Sequence, residues 1–150
     1  MSYSRKRGAV AQYGQVATAA EVAYASPYRL VQMLMEGVTD KIATAKGQIA
    51  RNDLEGKSRH ISWAVSILNG LRGSLDFNAG GEIAANLDNL YEYMTRRLME
   101  ANAGNDIAIL DEVSSLMLEI KSAWDALPDE VKQPGLDRAA PVARQASVNG

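Results

Sequence analysis

His60 is the one histidine in a chain of 150 residues that contains no cysteine. Chemistry on an imidazole or a thiol must therefore run through a single side chain. Such a histidine could accept a phosphoryl group from a partner protein. Histidine phosphotransfer of that kind uses an H-x-x-K-G sequence, in which the lysine favours the transferred charge and the glycine clears space. Here Trp63 and Ala64 stand at those two positions, so a helix-surface histidine without catalytic role is the expectation. A histidine phosphotransfer or other signalling four-helix bundle is the alternative. One imidazole and no thiolate also leave a transition-metal site short of ligands and exclude the paired Glu-x-x-His sets of di-iron bundles. Glu36 with Asp40, and Asp111 with Glu112, have the spacing of a general acid and base or of a hard-cation site. On helices, such charges more often form a solvated face.

Gly80-Gly81 could bare backbone N–H groups to a phosphate. No strand precedes the pair, no GK[ST] or GxGxxG pattern surrounds it, and Glu82 puts a carboxylate where the phosphate would lie. A turn followed by an acidic residue at the positive end of a helix accounts for it better. Sixteen basic against eighteen acidic residues give a net charge of -2, too balanced for a polyanion binder. The Arg5-Lys6-Arg7 run is an isolated basic patch on an arm. The expectation is a protein that is not an enzyme, with no catalytic residues, no metal, no cofactor and no nucleic-acid partner.

The elements that would carry these residues are helical. Hydrophobic residues make up 47% and charged residues 23%, ordinary for a folded domain. No run approaches the roughly 18 apolar residues that cross a bilayer, so no stable membrane insertion and a cytoplasmic location are expected. Ser26 followed by Pro27 reads as an N-cap and first helical position. From there Tyr28, Val31, Met35, Val38, Ile42, Ala45 and Ile49 recur at spacings of three and four, the stripe a helix buries. Asn52-Asp53 punctuates the chain. Ile61, Ala64, Leu68, Leu71 and Leu75 mark a second helix that Gly80-Gly81 ends. Ile83, Leu87, Leu90, Met94, Leu98 and Ala101 mark a third. After Gly104-Asn105, Leu110, Val113, Met117, Ile120, Trp124 and Leu127 mark a fourth.

Short connections force neighbours antiparallel. The predicted fold is all-α, an antiparallel up-down four-helix bundle over residues 26–127. An N-terminal arm, residues 1–25, is expected to be mobile, partly disordered or docked. Residues 128–150, with three prolines and no apolar stripe, are expected to be a flexible, disordered tail.

Two features exceed what a minimal bundle requires. Leu30, Met33, Leu34, Val65, Ile67, Ile109 and Leu116 widen the apolar arcs. Gly37, Gly47, Gly70 and Gly73 sit inside the first two helices, each at a cost of about 1 kcal/mol relative to alanine. Either the helices pack closely, or another chain approaches these faces. On the second reading Val65 and Gly70 belong to a groove for amphipathic partner helices.

Three stretches carry a resemblance: ASPYRLVQMLMEGV at 25–38, SLDFNAGGEIAANLDNLYEYMTRRLMEAN at 74–102 and EVSSLMLEIKSAW at 112–124. They resemble the flagellar export chaperone FliS family, in order over roughly residues 8–127. The resemblance implies a cytosolic antiparallel four-helix bundle. Its partners would be the C-terminal segment of flagellin, kept from premature polymerisation, and a component of the flagellar type III export gate. It also implies site residues. In the third helix Asn86, Tyr93 and Arg97 match the family pattern yet lie off the expected core stripe. Leu87, Leu90, Met94 and Leu98 are expected to be core. In the arm, Val10 and Tyr13 match an apolar residue and a tyrosine implicated in the family's function.

Overall fold

The computed structural model describes residues 25–132. Its elements are α1 Pro27–Ala50, α2 Leu54–Gly73, α3 Phe77–Gly104, α4 Ile107–Asp125 and the single turn α5 Asp129–Lys132, with no strand among the described residues. Val10 and Tyr13 lie outside them.

Each long helix starts on a side chain that accepts an otherwise unpaired backbone N–H. Ser26 accepts from Arg29 N at 3.1 Å, and Asp53 from Gly56 N at 3.0 Å. Asp76 accepts from Ala79 N at 3.0 Å and Asp106 from Ile109 N at 3.2 Å. The turns need left-handed backbone at Asn52 (φ 61°) and Asn105 (φ 51°), a conformation that asparagine tolerates better than most residues. The segments 51–53, 74–76 and 105–106 are too short for anything but reversal. α1 accordingly packs along α2 and α4, and α3 along the same two, giving a ring of antiparallel neighbours. The four-helix bundle expected from the periodicity is the fold observed.

Met35, Val38 and Ile42 of α1, Ile61, Ala64 and Leu68 of α2, Met94 and Leu98 of α3, and Leu110, Val113 and Met117 of α4 fill the centre with essentially no exposure. Met33, Leu34 and Ile67, surplus on the sequence pattern, are buried with them. Leu30, Val65, Ile109 and Leu116 are half-buried against the same core. Trp124 closes the α1–α4 seam, stacked on Tyr28 at 5.4 Å and donating from its indole N–H to the Tyr28 carbonyl at 3.1 Å. Lys41 is buried with its ammonium 4.1 Å from the centre of the Trp63 ring. Desolvation pushes its pKa down, against a smaller opposing pull from Asp40. Lys57, also buried, donates to the Asn102 carbonyl at 2.8 Å, a cation placed at the negative end of α3.

α3 departs from expectation in two ways. Its buried stripe is Ala84, Tyr91, Met94, Leu98 and Ala101 with Leu87 half-buried, whereas Ile83 and Leu90 are 70% and 37% exposed. The stripe is thus one residue out of phase in the N-terminal half. Ile83–Leu90 and Ala84–Tyr91 share the same seven-residue spacing, and the bundle buries the pair that holds the larger ring. Tyr91 is 2% exposed, and burial pushes its phenol up to about 12. Secondly, the second helix ends at Gly73, with Leu75 in the connection, so Gly80-Gly81 does not end it but instead divides α3 into a short first run and a long second one. A helical turn begins at Phe77, bends at Gly81 (φ 51°, ψ −123°), and continues. Only glycine takes that backbone conformation without strain.

Candidate functional site

The side chains that could do chemistry are engaged structurally. His60 is half-buried, its ring 5.5 Å from Trp63 and its Nδ1 3.0 Å from the Gly56 carbonyl. A carbonyl only accepts, so that nitrogen holds the proton. Glu36 pairs with Arg29 and Lys121, and Asp111 pairs with Lys46. Burial raises the Asp40 carboxyl, with Lys41 opposing. Among the described residues, no group of three or more His, Cys, Asp or Glu could hold a metal ion, and no helix is long and apolar enough to cross a membrane.

A different kind of site lies along the seam between α3 and α4. Three α3 side chains singled out from the sequence, Asn86, Tyr93 and Arg97, fall on its wall or rim. Tyr93 donates its hydroxyl hydrogen bond to Glu112 of α4. The Arg97 Nε donates to the other oxygen of that carboxylate at 2.9 Å, and its Nη1 donates to Glu100 at 2.7 Å. The Arg96 guanidinium lies 5.6 Å from the Tyr93 ring centre and pairs with Glu92 at 2.9 Å. Electrostatically the cluster is self-consistent. The Tyr93 hydrogen bond, and then Arg97, hold the Glu112 carboxyl below its ordinary value. The same bond, then desolvation, raises the Tyr93 phenol. Arg97 is pushed up by its bonds to Glu112 and Glu100.

This clamp ties the seam at one end and sets its register. Because Glu112 bridges Tyr93 and Arg97, antiparallel geometry puts Leu90 level with Leu116 and Met117, Leu87 level with Ile120, and Ile83 level with Trp124. Beyond the clamp the seam opens. Ile83 and Leu90 face solvent, Leu116 and Ile120 are only half-buried, and Phe77, just before the bend, is 51% exposed. Asn86 is exposed among them. The result is an apolar strip with a polar clamp at one end and a bent helix at the other. Such a strip can receive the apolar face of another helix.

The remaining residues singled out from the sequence lie elsewhere. Val65 packs against the core from α2. Gly70 is half-buried, and a Cβ placed there would meet nothing within 4 Å. Sequence reasoning missed Ile83 and Leu90 as surface residues, and missed Glu112 as the partner of Tyr93 and Arg97. The one available signal was that α3 carries two overlapping apolar stripes, more than a single buried face accommodates.

The family model described as Flagellar protein FliS matches residues 9–131. The chain is 50% identical over 119 residues to the flagellar secretion chaperone FliSB of Pseudomonas aeruginosa, covering 79% of this chain and 94% of that protein. It is 37% identical over 124 residues to the flagellar secretion chaperone FliS of Vibrio cholerae, covering 83% and 91%. It is 41% identical over 113 residues to the flagellar secretion chaperone FliS of Salmonella typhimurium, covering 75% and 84%.

Proposed function

This chain belongs to the FliS family of flagellar proteins, and from that membership we propose that it is a secretion chaperone for flagellin. In this reading it binds the C-terminal segment of newly made flagellin in the cytoplasm, keeps that segment from polymerising, and brings it to a component of the flagellar export gate. It performs no catalysis. The observation that carries the reading is the open part of the α3–α4 seam, where Ile83 and Leu90 expose large apolar side chains beside the half-buried Leu116 and Ile120.

Segments that build a filament are amphipathic, so in a free monomer their apolar stripes associate or aggregate. Covering such a stripe needs a complementary strip on a scaffold that does not itself deform. The buried core and the capped helices supply the scaffold. A segment that folds onto the strip gives up about 2–5 kcal/mol of contact energy to its own ordering, which keeps the complex reversible, as delivery requires. Asn86 sits where it can hydrogen-bond an incoming backbone or side chain, while Tyr93 and Arg97 fix the end of the strip. Val65 and Gly70 on α2, and Val10 and Tyr13 in the arm, are proposed as further contacts.

The test is calorimetric titration of the full chain with the C-terminal segment of its cognate flagellin. A one-to-one complex at micromolar concentration or tighter is expected, with the negative heat-capacity change of apolar burial. No complex at that concentration sinks the reading.

A further inference from the structure

Every carboxylate of α3 and α4 but two is in an ion pair. Asp88 pairs with Arg72, Glu92 with Arg96, Glu100 and Glu112 with Arg97, Asp111 with Lys46, and Asp125 with Lys121. The two are Glu82 and Glu119, both exposed. Neither has a basic residue three or four positions away on its own helix. Both also lie on the seam. Glu119 follows Glu112 by seven residues, two turns along the row that faces α3. Glu82 precedes Tyr93 by eleven, three turns along the row that faces α4. The register set by Glu112 puts Glu119 level with Asp88, so Glu82 lies about 9 Å further along the seam on the opposite wall.

Local physics explains one of the two at most. Glu82 opens the helical run after the Gly81 bend, where a negative charge is favourable. Glu119, in the C-terminal half of α4, gains nothing from its helix. Along the seam Ile83 and Ile120 fall between them, and Leu90 and Leu116 continue the strip beyond Glu119 toward the clamp.

We propose that Glu82 and Glu119 select and orient the occupant of the α3–α4 seam: an amphipathic helix whose apolar stripe is bordered on both sides by Lys or Arg. This rests on the reading above, in which that occupant is a helix of flagellin's C-terminal segment. The apolar strip supplies affinity, and the two carboxylates fix direction and register. A helix seated the wrong way round, or one bordered by acids, leaves both charges unmatched or opposed.

The experiment compares the full-length parent with the double variant Glu82→Lys/Glu119→Lys and the neutral Glu82→Gln/Glu119→Gln, each first shown by circular dichroism to melt cooperatively as a helical protein. Three probes are titrated: the cognate flagellin segment, and two designed amphipathic helices with one apolar stripe bordered by lysines or by glutamates. For the flagellin segment at low salt, reversal is expected to weaken binding roughly five- to tenfold and neutralisation about twofold. The gap should narrow to within about twofold near 0.5 M salt. The lysine-bordered helix should bind the parent more tightly than the glutamate-bordered one, and reversal should invert that order.

Equal binding of the flagellin segment by parent and reversed protein, or a gap indifferent to salt, overturns the charge rule while leaving the chaperone reading intact. Failure of the flagellin segment to bind the parent, with the designed helices still ranked by charge, instead removes flagellin as the occupant. A parent that binds no helix until residues 1–24 are deleted, or that dimerises through the seam, assigns the strip to another occupant and overturns the proposal.

Discussion

The two halves of α3 belong to one helix and do opposite things. From Tyr91 onward, Met94, Leu98 and Ala101 are sealed in the core. Tyr93 and Arg97 are tied to α4, and Asn102 receives hydrogen bonds from Lys57 and Ser58 of α2. Before Tyr91, Ala84 is the one fully buried residue, the backbone bends at Gly81, and Ile83 and Leu90 stand in solvent. The C-terminal half puts Tyr91, Met94, Leu98 and Ala101 into the core and leaves one large apolar side chain, Met99, mostly exposed. The N-terminal half keeps part of its apolar surface exposed, which in a protein without a partner costs solubility and gains nothing. The contrast is the reason the proposed binding strip is placed in the N-terminal half, which the fold uses least.

The largest expected effect sharpens that contrast directly. Leu98→Ala removes a fully buried side chain and should cost about 2–5 kcal/mol of folding stability, a drop in melting temperature of ten degrees or more on the order-of-magnitude scaling for a domain of this size. Affinity for the flagellin segment should change little at temperatures where the variant is folded. Ile83→Ser/Leu90→Gln should do the reverse, costing less than about 1 kcal/mol of stability while weakening the flagellin complex roughly tenfold or more. Thermal melts and calorimetric titration of both variants decide it. If the Leu98 variant loses affinity as severely as the Ile83/Leu90 variant, the division of labour within α3 is wrong.

This division shows what the sequence made legible and where it stopped. The start of α1 was readable because Ser26-Pro27 is a local signal, and the ring of four helices because the connections allow nothing else. The phase of α3 was not readable. Ile83, Leu87, Leu90 and Ala84, Leu87, Tyr91 are both good helical stripes, and the choice between them depends on the volume left by α2 and α4. The Gly81 bend hides for a similar reason, since Gly80-Gly81 reads locally as an end. The Tyr93–Glu112–Arg97 clamp is a matter of interhelical register, which no spacing within one helix encodes. Of the candidate residues, those on α3 were legible through the family resemblance, and their partners on α4 were not.

The bend supplies the second test. Gly81→Ala forces a Cβ onto a residue at φ 51° and ψ −123°, at an expected cost of about 1–3 kcal/mol if the bend is kept. No heavy atom lies within 4 Å of that Cβ, so the penalty is conformational and not steric crowding. Hydrogen exchange should accelerate over residues 77–90 and stay unchanged over 91–104. Uniform acceleration along α3 would mean that the two halves are one cooperative unit.

The clamp gives a smaller effect with a defined pH window. Glu112 is held below its ordinary carboxyl value by Tyr93 and then Arg97. Its contribution is therefore complete above the carboxylate range and is lost as pH falls through the depressed value. Tyr93 is raised, so its hydroxyl goes on donating beyond the ordinary phenol value, and that contribution is lost only as pH rises through the raised one. Tyr93→Phe and Glu112→Gln should each lower the melting temperature by a few degrees at neutral pH and converge with the parent in acid. Chemical-shift titration of the Glu112 carboxyl checks the direction. A Glu112 that titrates at or above its ordinary value would show that the clamp is not formed in solution.

The smallest expected effect concerns Gly70, where the two halves of α3 are compared with α2, a helix that contributes no residue to the strip. A glycine inside α2 weakens it, and a Cβ at position 70 would meet nothing within 4 Å. Close packing in the free protein therefore does not account for this residue. Gly70→Ala should raise stability by about 0.5–1 kcal/mol through helix propensity alone. If the position is bare because a bound segment's backbone passes over it, the same substitution weakens the flagellin complex, and Gly70→Leu weakens it further, while both proteins melt at or above the parent's temperature. If the α3–α4 strip alone receives flagellin, both variants bind as the parent does. A stabilised protein with impaired binding extends the site across α2. A stabilised protein with unchanged binding confines it to the seam, and the glycine is then an untuned surface residue.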